Sequence, residues 1–555
     1  MKKSFRSRGG AAAIMLFVMV VSIFMVIALT QLGTANLVRS NREVKAIQAF
    51  QFAQAGSDEV YQQLVPALKL SEGIFSEESI SFEALSVTLP SGATGTVEIS
   101  PVGTGEIAWM TSNVEVGGIR RSVRVLISSK DVGIWNNAIF AGTGAAGLSI
   151  NGNVDIRGSV HLLGEGEAYT DLNGNGQRDG AEPFSDQNSN GVWDPGEPFT
   201  DSDGNGTWTA AEPYNDTNGN GTYDPPLTNT DLNSNFAGTA YIGNNYNNMP
   251  PLLSNQIPAI PLLGGMKTLS AEVRCKNGLI GINGSASIGL EDNILDQKGM
   301  VDGVYVNDGW GGNQGSDGVF SDNGSKEKYD LDDLVGFPII NGIGSEEVVK
   351  DGITYSNFKA YLDDVSMVIP QLKIDADTES FTIGPDAHGN KITWTKAEGK
   401  LRIDGIVRVG NFTLGKKNTT IRFDGRGTIY STGSIDVHCN LLPVAGKTFP
   451  LNTAIGMVAM QNLNLATGPG DAQLSMMGAF YAQGTITSKK QNQIAGTFVA
   501  NYYDMGSQVP NIYQVPSLAK NLPPGMPGAD PIISLKRRSW RERVPTDNEL
   551  FADGE

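Results

Sequence analysis

The feature that most constrains this chain is an uncharged stretch near its N-terminus. Lys2, Lys3, Arg6 and Arg8 precede an apolar run from Ala11 to Leu29, and no charged residue follows until Arg39. About twenty apolar residues at roughly 1.5 Å rise cover about 30 Å, the hydrocarbon thickness of a bilayer. The sequence therefore predicts one membrane-spanning helix, with the basic leader 1–10 on the cytoplasmic side. A secretory signal would have a shorter apolar region closed by a small-x-small cleavage site, and neither is clear, so the segment is expected to be retained. Beyond it, apolar residues keep recurring at intervals of three and four, which extends the expected helix over 11–72.

Residues 5 to 65 resemble the N-terminal module of type IV pilus assembly proteins of the PilX kind. The carriers are the leader ending in Arg8-Gly9-Gly10, the run AAAIMLFVMVVSIFMVIALTQL, and the stretch from Ala49 to the Ala55-Gly56 pair. The resemblance implies processing by a prepilin peptidase after Gly10, with Gly9 as the alternative. It also implies inner-membrane residence before assembly and partnership with other pilin-like subunits through the helix. Major pilins carry a glutamate at the fifth mature position, whereas processing here would put Met15 (or Ile14) there. In that respect the chain is similar to the minor pseudopilins of filament tips.

After the helix the period changes to two. Thr96-Val97-Glu98-Ile99, Val114-Glu115-Val116 and Val123 to Ile127 alternate, and Gly117-Gly118 between the last two runs reads as a hairpin. An antiparallel β head over 73–137 is expected. Gly, at 68 of 555 residues, and short alternating runs broken by Asn-Gly and Asp-Gly corners then describe a turn-rich β body. Its parts are 138–165 and 237–515, solenoid-like or sandwich-like, with 516–555 as an exposed C-terminal tail. The expected fold class is α+β.

A second signal interrupts that body at 166–236. DLNGNGQRDGAE, DQNSNGVWDPGE, DSDGNGTWTAAE and DTNGNGTYDPPL begin at Asp171, Asp186, Asp201 and Asp216, fifteen residues apart. Each follows the EF-hand loop pattern: Asp at 1, Asn or Asp at 3 and 5, and Gly at 6. Ca²⁺ takes about six to eight oxygens, and side chains at alternate positions of a sharply turned loop converge on one centre. The candidate ligands are Asp171, Asn173, Asn175, Gln177, Asp179 and Glu182 in loop 1, and Asp186, Asn188, Asn190, Val192, Asp194 and Glu197 in loop 2. Loop 3 offers Asp201, Asp203, Asn205, Thr207, Thr209 and Glu212, and loop 4 offers Asp216, Asn218, Asn220, Thr222 and Asp224. Gln177, Val192, Thr207 and Thr222 would act through their backbone carbonyls. Loop 4 has Leu227 where the bidentate glutamate belongs.

Only Pro-Phe-Ser, Pro-Phe-Thr and Pro-Tyr-Asn separate the loops, too short for EF-hand helices and broken by proline. The array resembles the compact calcium repeats of extracellular adhesins and thrombospondin-type stalks. Eleven carboxylates from Asp171 to Asp224 face the single Arg178, so calcium is expected to fold the segment. The aromatic residues Phe184, Trp193, Phe199, Trp208, Tyr214 and Tyr223 recur in step and suggest a packed spine.

The net charge of −18, from 41 Lys+Arg against 59 Asp+Glu, argues against a nucleic-acid partner. Of the three histidines, His161, His388 and His438, none belongs to a zinc-hydrolase motif. Gly446-Lys447-Thr448 lacks the first glycine of a phosphate loop, and no G-x-S-x-G elbow occurs. The chain is therefore not expected to be an enzyme. Cys275 and Cys439 fit no metal or redox spacing, and a disulfide between them is left open. The expected role is a minor pilin-like subunit, at a filament tip, with a calcium-stabilised surface for assembly or adhesion to a surface target. The alternative is a membrane-anchored calcium-binding adhesion protein that never enters a filament. Either way the chain is single-pass in the inner membrane, its bulk periplasmic or extracellular.

Overall fold

The computed structural model describes residues 9–142, 150–152, 154–164, 170, 172, 179–187, 193–202, 204–214, 230–231, 241–277, 280–292, 296–307, 309–342, 344–506 and 508–543. These form two compact units: 1–132 with 530–555, and 133–529.

The first unit is built on helix α1 (Gly9–Leu70). It is the one helix among the described residues that is long and apolar enough to cross a membrane. Its two halves differ. From Ile14 to Val38 the large apolar side chains are exposed, whereas Ala49, Ala53, Val60, Leu64 and Leu68 are buried. The buried half packs against a five-stranded sheet that contains β1 (Glu78–Ser81), β2 (Thr94–Val102), β3 (Ile107–Val116) and β4 (Ile119–Asp131). Val97, Ile99, Ala108, Met110, Val114, Val123, Val125 and Ile127 supply the sheet's share of that core. Each of the Val, Ile and Met side chains among them contributes about 1.5–3 kcal/mol when taken from water, so the head is held mainly by this one helix–sheet layer. The β3–β4 hairpin turns at Gly117 (φ +54°) and Gly118 (φ +78°), two left-handed residues in succession.

Within the expected exposed tail 516–555, a fifth strand joins the sheet; its residues 537–542 are exposed, and 544–555 lie outside the described residues. Ile533–Arg543 pairs antiparallel along β4, from Ile533 opposite Asp131 to Arg543 opposite Ser122. Its charged, non-alternating sequence, ISLKRRSWRER, is compatible with a strand at the sheet edge. Only Ile533 and Ser534 need burial, and the backbone ladder supplies the rest.

The second unit is a parallel β-solenoid. Along one face the order is Gly303–Val306, Glu272–Cys275, Val160–Leu162, Ile139–Ala141, then residues 498–500, 479–482, Ala454–Ala459, 426–431, 404–409 and Met367–Ile369, every neighbour parallel. The chain thus starts in the middle of the stack, winds outward to residue 306, resumes at the far end near 367, and winds back. Its last full rung, Gln493–Gly506, lies beside its first strand, Ile139–Ala141. The junction is stitched by Tyr503 Oη donating to the Phe140 carbonyl (2.8 Å), Thr497 Oγ1 to that of Asn137 (2.7 Å) and Trp135 Nε1 to that of Pro527 (2.8 Å). Phe480 and Phe498, fully buried with ring centroids 5.0 Å apart, continue an aromatic core from rung to rung.

Cys275 and Cys439 lie buried on different rungs and are not bridged. Burial pushes the Cys439 thiol up to about 12. The loop array leaves the stack after Val160–Leu162 and returns at Tyr241–Gly243.

Candidate functional site

The array departs from the surrounding residues in one respect: its glutamates are buried. Glu182, Glu197 and Glu212 are 6%, 8% and 4% exposed. Most of the residues around them, Pro183, Ser185, Asp201 and Asn205 among them, are exposed. A carboxylate taken out of water is costly unless hydrogen bonds or a cation compensate it.

Each of the three accepts two backbone N–H bonds from the same two loop positions, the second and the ninth. Glu197 accepts from Gln187 (2.8 Å) and Asp194 (3.0 Å), both in its own loop. Glu182 accepts from Ser202 (2.6 Å) and Thr209 (3.0 Å), both in loop 3. Glu212 accepts from Leu172 (2.7 Å) and Asp179 (3.0 Å), both in loop 1. Loop spacing alone had placed each glutamate at the end of its own loop; the structure keeps that arrangement for one and interchanges the other two.

Loop 3 is the best described. Asp201 accepts the N–H of Gly204 through Oδ1 (2.6 Å) and that of Gly206 through Oδ2 (2.9 Å). Gly206 has φ +74°, the left-handed conformation that makes glycine the natural residue at position 6. Asn205 Oδ1 accepts from the Thr207 N–H (2.6 Å), and Asn205 Nδ2 donates to Thr209 Oγ1 (3.0 Å). The aspartate at position 1 therefore draws the turn closed through its own carboxylate. Of the spine, Phe184 meets Trp208 edge-on (6.1 Å), Trp208 stacks on Trp193 (5.1 Å, 12°), and Trp193 meets Phe199 edge-on (6.1 Å).

Asp171, Asn173, Asn175, Gln177, Asn188, Asn190, Val192, Asp203 and the whole of loop 4, with Asp216, Asn218, Asn220, Thr222 and Asp224, lie outside the described residues, as does the leader 1–8. Among the described residues no group of three His, Cys, Asp or Glu side chains stands within reach of one ion. The residues that spacing did not single out are the position-2 donors Leu172, Gln187 and Ser202. Their side chains vary and only their N–H groups act.

A crystal structure of the competence-associated pilin ComZ from Thermus thermophilus aligns with 90% of this chain and 98% of its own, with a TM-score of 0.51 and 17% sequence identity. The fold is pilin-like. At that identity the likeness is one of fold alone, over a chain that here consists of a long N-terminal helix, an antiparallel sheet and a large β-rich body. The sequence matches no protein-family model and no curated protein.

Proposed function

We propose that this chain is a minor pilin-like subunit of a type IV pilus or related filament, with a calcium-stabilised domain used in assembly or adhesion. The observation that carries the reading is the division of α1 into a half covered by the head's sheet and a bare apolar half, Ile14–Val38. A bare apolar helix of that length suits two environments in turn: lipid before assembly, and the same helix of neighbouring pilin-like subunits afterwards. The PilX kinship rests on the leader and on the Ala49–Gly56 stretch, with Gly10 as the processing site. Met15, in place of the fifth-position glutamate, leaves nothing to pair with a neighbour's N-terminal amine, which favours the tip of the filament.

The calcium reading rests on the loops' register and on three buried glutamates held in repeated geometry. The ligands would be the loop residues named above, and extracellular Ca²⁺ near mM levels would offset the repulsion among their carboxylates. The proposed site of action is the periplasm or the cell surface.

The test is cysteine substitution at Leu16, Val20 and Ile27, with cross-linking in cells that build the filament. Cross-links to other pilin-like subunits are expected. A chain that remains an uncross-linked monomer in the membrane would instead be a plain surface anchor.

A further inference from the structure

We infer that the end of the head nearest the bare half of α1 seats on the headgroups of anionic phospholipids, through Arg39, Arg42, Lys45, Arg120 and Arg121. The inference rests on the reading of α1 as a membrane-spanning helix and adds to it which lipid class the head selects and which residues select it.

The helix supplies three of the five. Arg39, Arg42 and Lys45 follow Val38, which closes the uncharged run, by one, four and seven residues. At about 1.5 Å rise per residue, all three stand within about 10 Å of the end of that run. The helix is unbroken across this junction, from Gly9 to Leu70, so the element that enters the bilayer also fixes where these side chains stand. Helical side chains lean toward the N-terminus, here the membrane side, and the long stems carry their charges closer to the headgroups.

The sheet supplies the other two. A β-carbon on Gly117, at the tip of the β3–β4 hairpin, would stand 2.6 Å from Lys45 Nζ, which sets the tip level with that ammonium. Arg120, opposite Glu115, and Arg121 follow the tip directly. From there β4 runs to Asp131, opposite Ile533, so the chain leaves for residues 133–529 and returns from them at the other end of the strand.

Charge is sorted between these two ends. Near the tip the five bases stand against Glu43, Glu115 and Glu542, which pair with Arg39 (3.1 Å), Arg120 (2.6 Å) and Arg121 (3.6 Å). Five against three leaves an excess of two positive charges. At the other end Lys69, Lys130 and Lys536 stand against Glu72, Glu77, Glu106, Asp131 and Asp530, an excess of two negative charges. The positive pole of the head therefore faces the bilayer. Arg39 and Arg120 keep 82% and 50% of their side chains exposed, and a guanidinium that already holds one carboxylate has further N–H donors for a phosphate. Surface charges act over about 8 Å at physiological ionic strength, so lipid phosphates at the end of the apolar run lie within reach of the bases and out of reach of the far carboxylates.

The experiment uses the full chain in vesicles, with a fluorophore on Ser91→Cys. Ser91 is exposed in the turn that Ala93 N closes on the Pro90 carbonyl (3.0 Å), just before Thr94 pairs with Glu115, and the native Cys275 and Cys439 are buried away from the label. A fixed fraction of lipid carrying a headgroup nitroxide serves as quencher. Quenching should be stronger when the vesicles contain phosphatidylglycerol than in phosphatidylcholine alone, and the gain should vanish at 1 M salt, where the screening length falls to about 3 Å. It should also be lost in Arg42→Gln/Lys45→Gln/Arg120→Gln/Arg121→Gln and kept in Lys130→Gln/Lys536→Gln. Glu43→Gln/Glu115→Gln, which adds positive charge at the same end without removing a base, should increase it. Equal quenching in the two lipids, or a gain that survives the fourfold change, would overturn the seating. A fluorophore on Val26→Cys, read with an acyl-chain nitroxide, separates the two levels. If it is quenched while Ser91→Cys is indifferent to lipid charge, the spanning helix stands and the seating falls; if it is not quenched in either lipid, both fall.

Discussion

A β-carbon on Gly56 would stand 2.1 Å from Cζ of Phe82. Against the same buried ring, one on Gly95 in β2 would stand 2.7 Å from Cδ2. The ring is lodged between helix and sheet in space that two missing side chains provide. The Ala55-Gly56 pair, which carried part of the pilin resemblance, thus has a packing reason in this chain.

Gly56→Ala is therefore expected to destabilise the head, although alanine is the better helix former by about 1 kcal/mol. Overpacking a filled core costs about 1–3 kcal/mol. Chemical denaturation of the full chain should show the loss, and Phe82→Leu added to Gly56→Ala should recover part of it.

The C-terminal strand should prove to be structural. Tyr61 Oη donates to the Leu535 carbonyl (2.8 Å), Arg537 covers the Tyr61 ring (4.2 Å) and pairs with Asp58 (2.8 Å), and Trp540 meets Phe50 edge-on (6.1 Å). Tyr61→Phe should cost about 1 kcal/mol. Removing 530–555 turns β4 into an open edge. Hydrogen exchange should then show loss of protection at the β4 amides that now pair with Ile533–Arg543, and unchanged protection there would show the strand to be dispensable.

Acid should weaken the solenoid through His161. Burial pulls this imidazole down to about 3, beside Tyr329 (Nε2 to Oη, 2.8 Å) and the Phe140 ring (5.0 Å). A folded pKa below the unfolded value of about 6.5 means the unfolded chain binds the extra proton. The stability His161 contributes is thus present above about pH 6.5 and is lost as pH falls toward about 3. In His161→Asn the pH slope of unfolding across that window should be shallower than in the wild type.

Chelation should act locally. With EDTA, limited proteolysis of the full chain is expected within 166–236 while the rungs 367–506 stay intact, and mM Ca²⁺ should protect the array. Equal cleavage with and without calcium would count against a calcium-folded segment.

Much of this was legible in the sequence wherever the signal is local. Hydropathy located α1, and Gly117-Gly118 located the hairpin. What escaped depends on partners far along the chain. Ile533–Arg543 reads as a charged tail because its strand character comes from β4, not from its own alternation. The rungs read as irregularly spaced because Ile139–Ala141 stacks on 498–500 rather than on the next rung of a continuous ascent. That Glu182 accepts from loop 3 and Glu212 from loop 1 depends on contacts between loops, which loop spacing does not encode.

The most direct test of the subunit reading is mass spectrometry of sheared, purified filaments. The chain should be present at low stoichiometry with Ala11 as its N-terminal residue. Finding it only in the membrane fraction, with residues 1–10 still attached, would contradict the pilin-like role and leave a single-pass anchor.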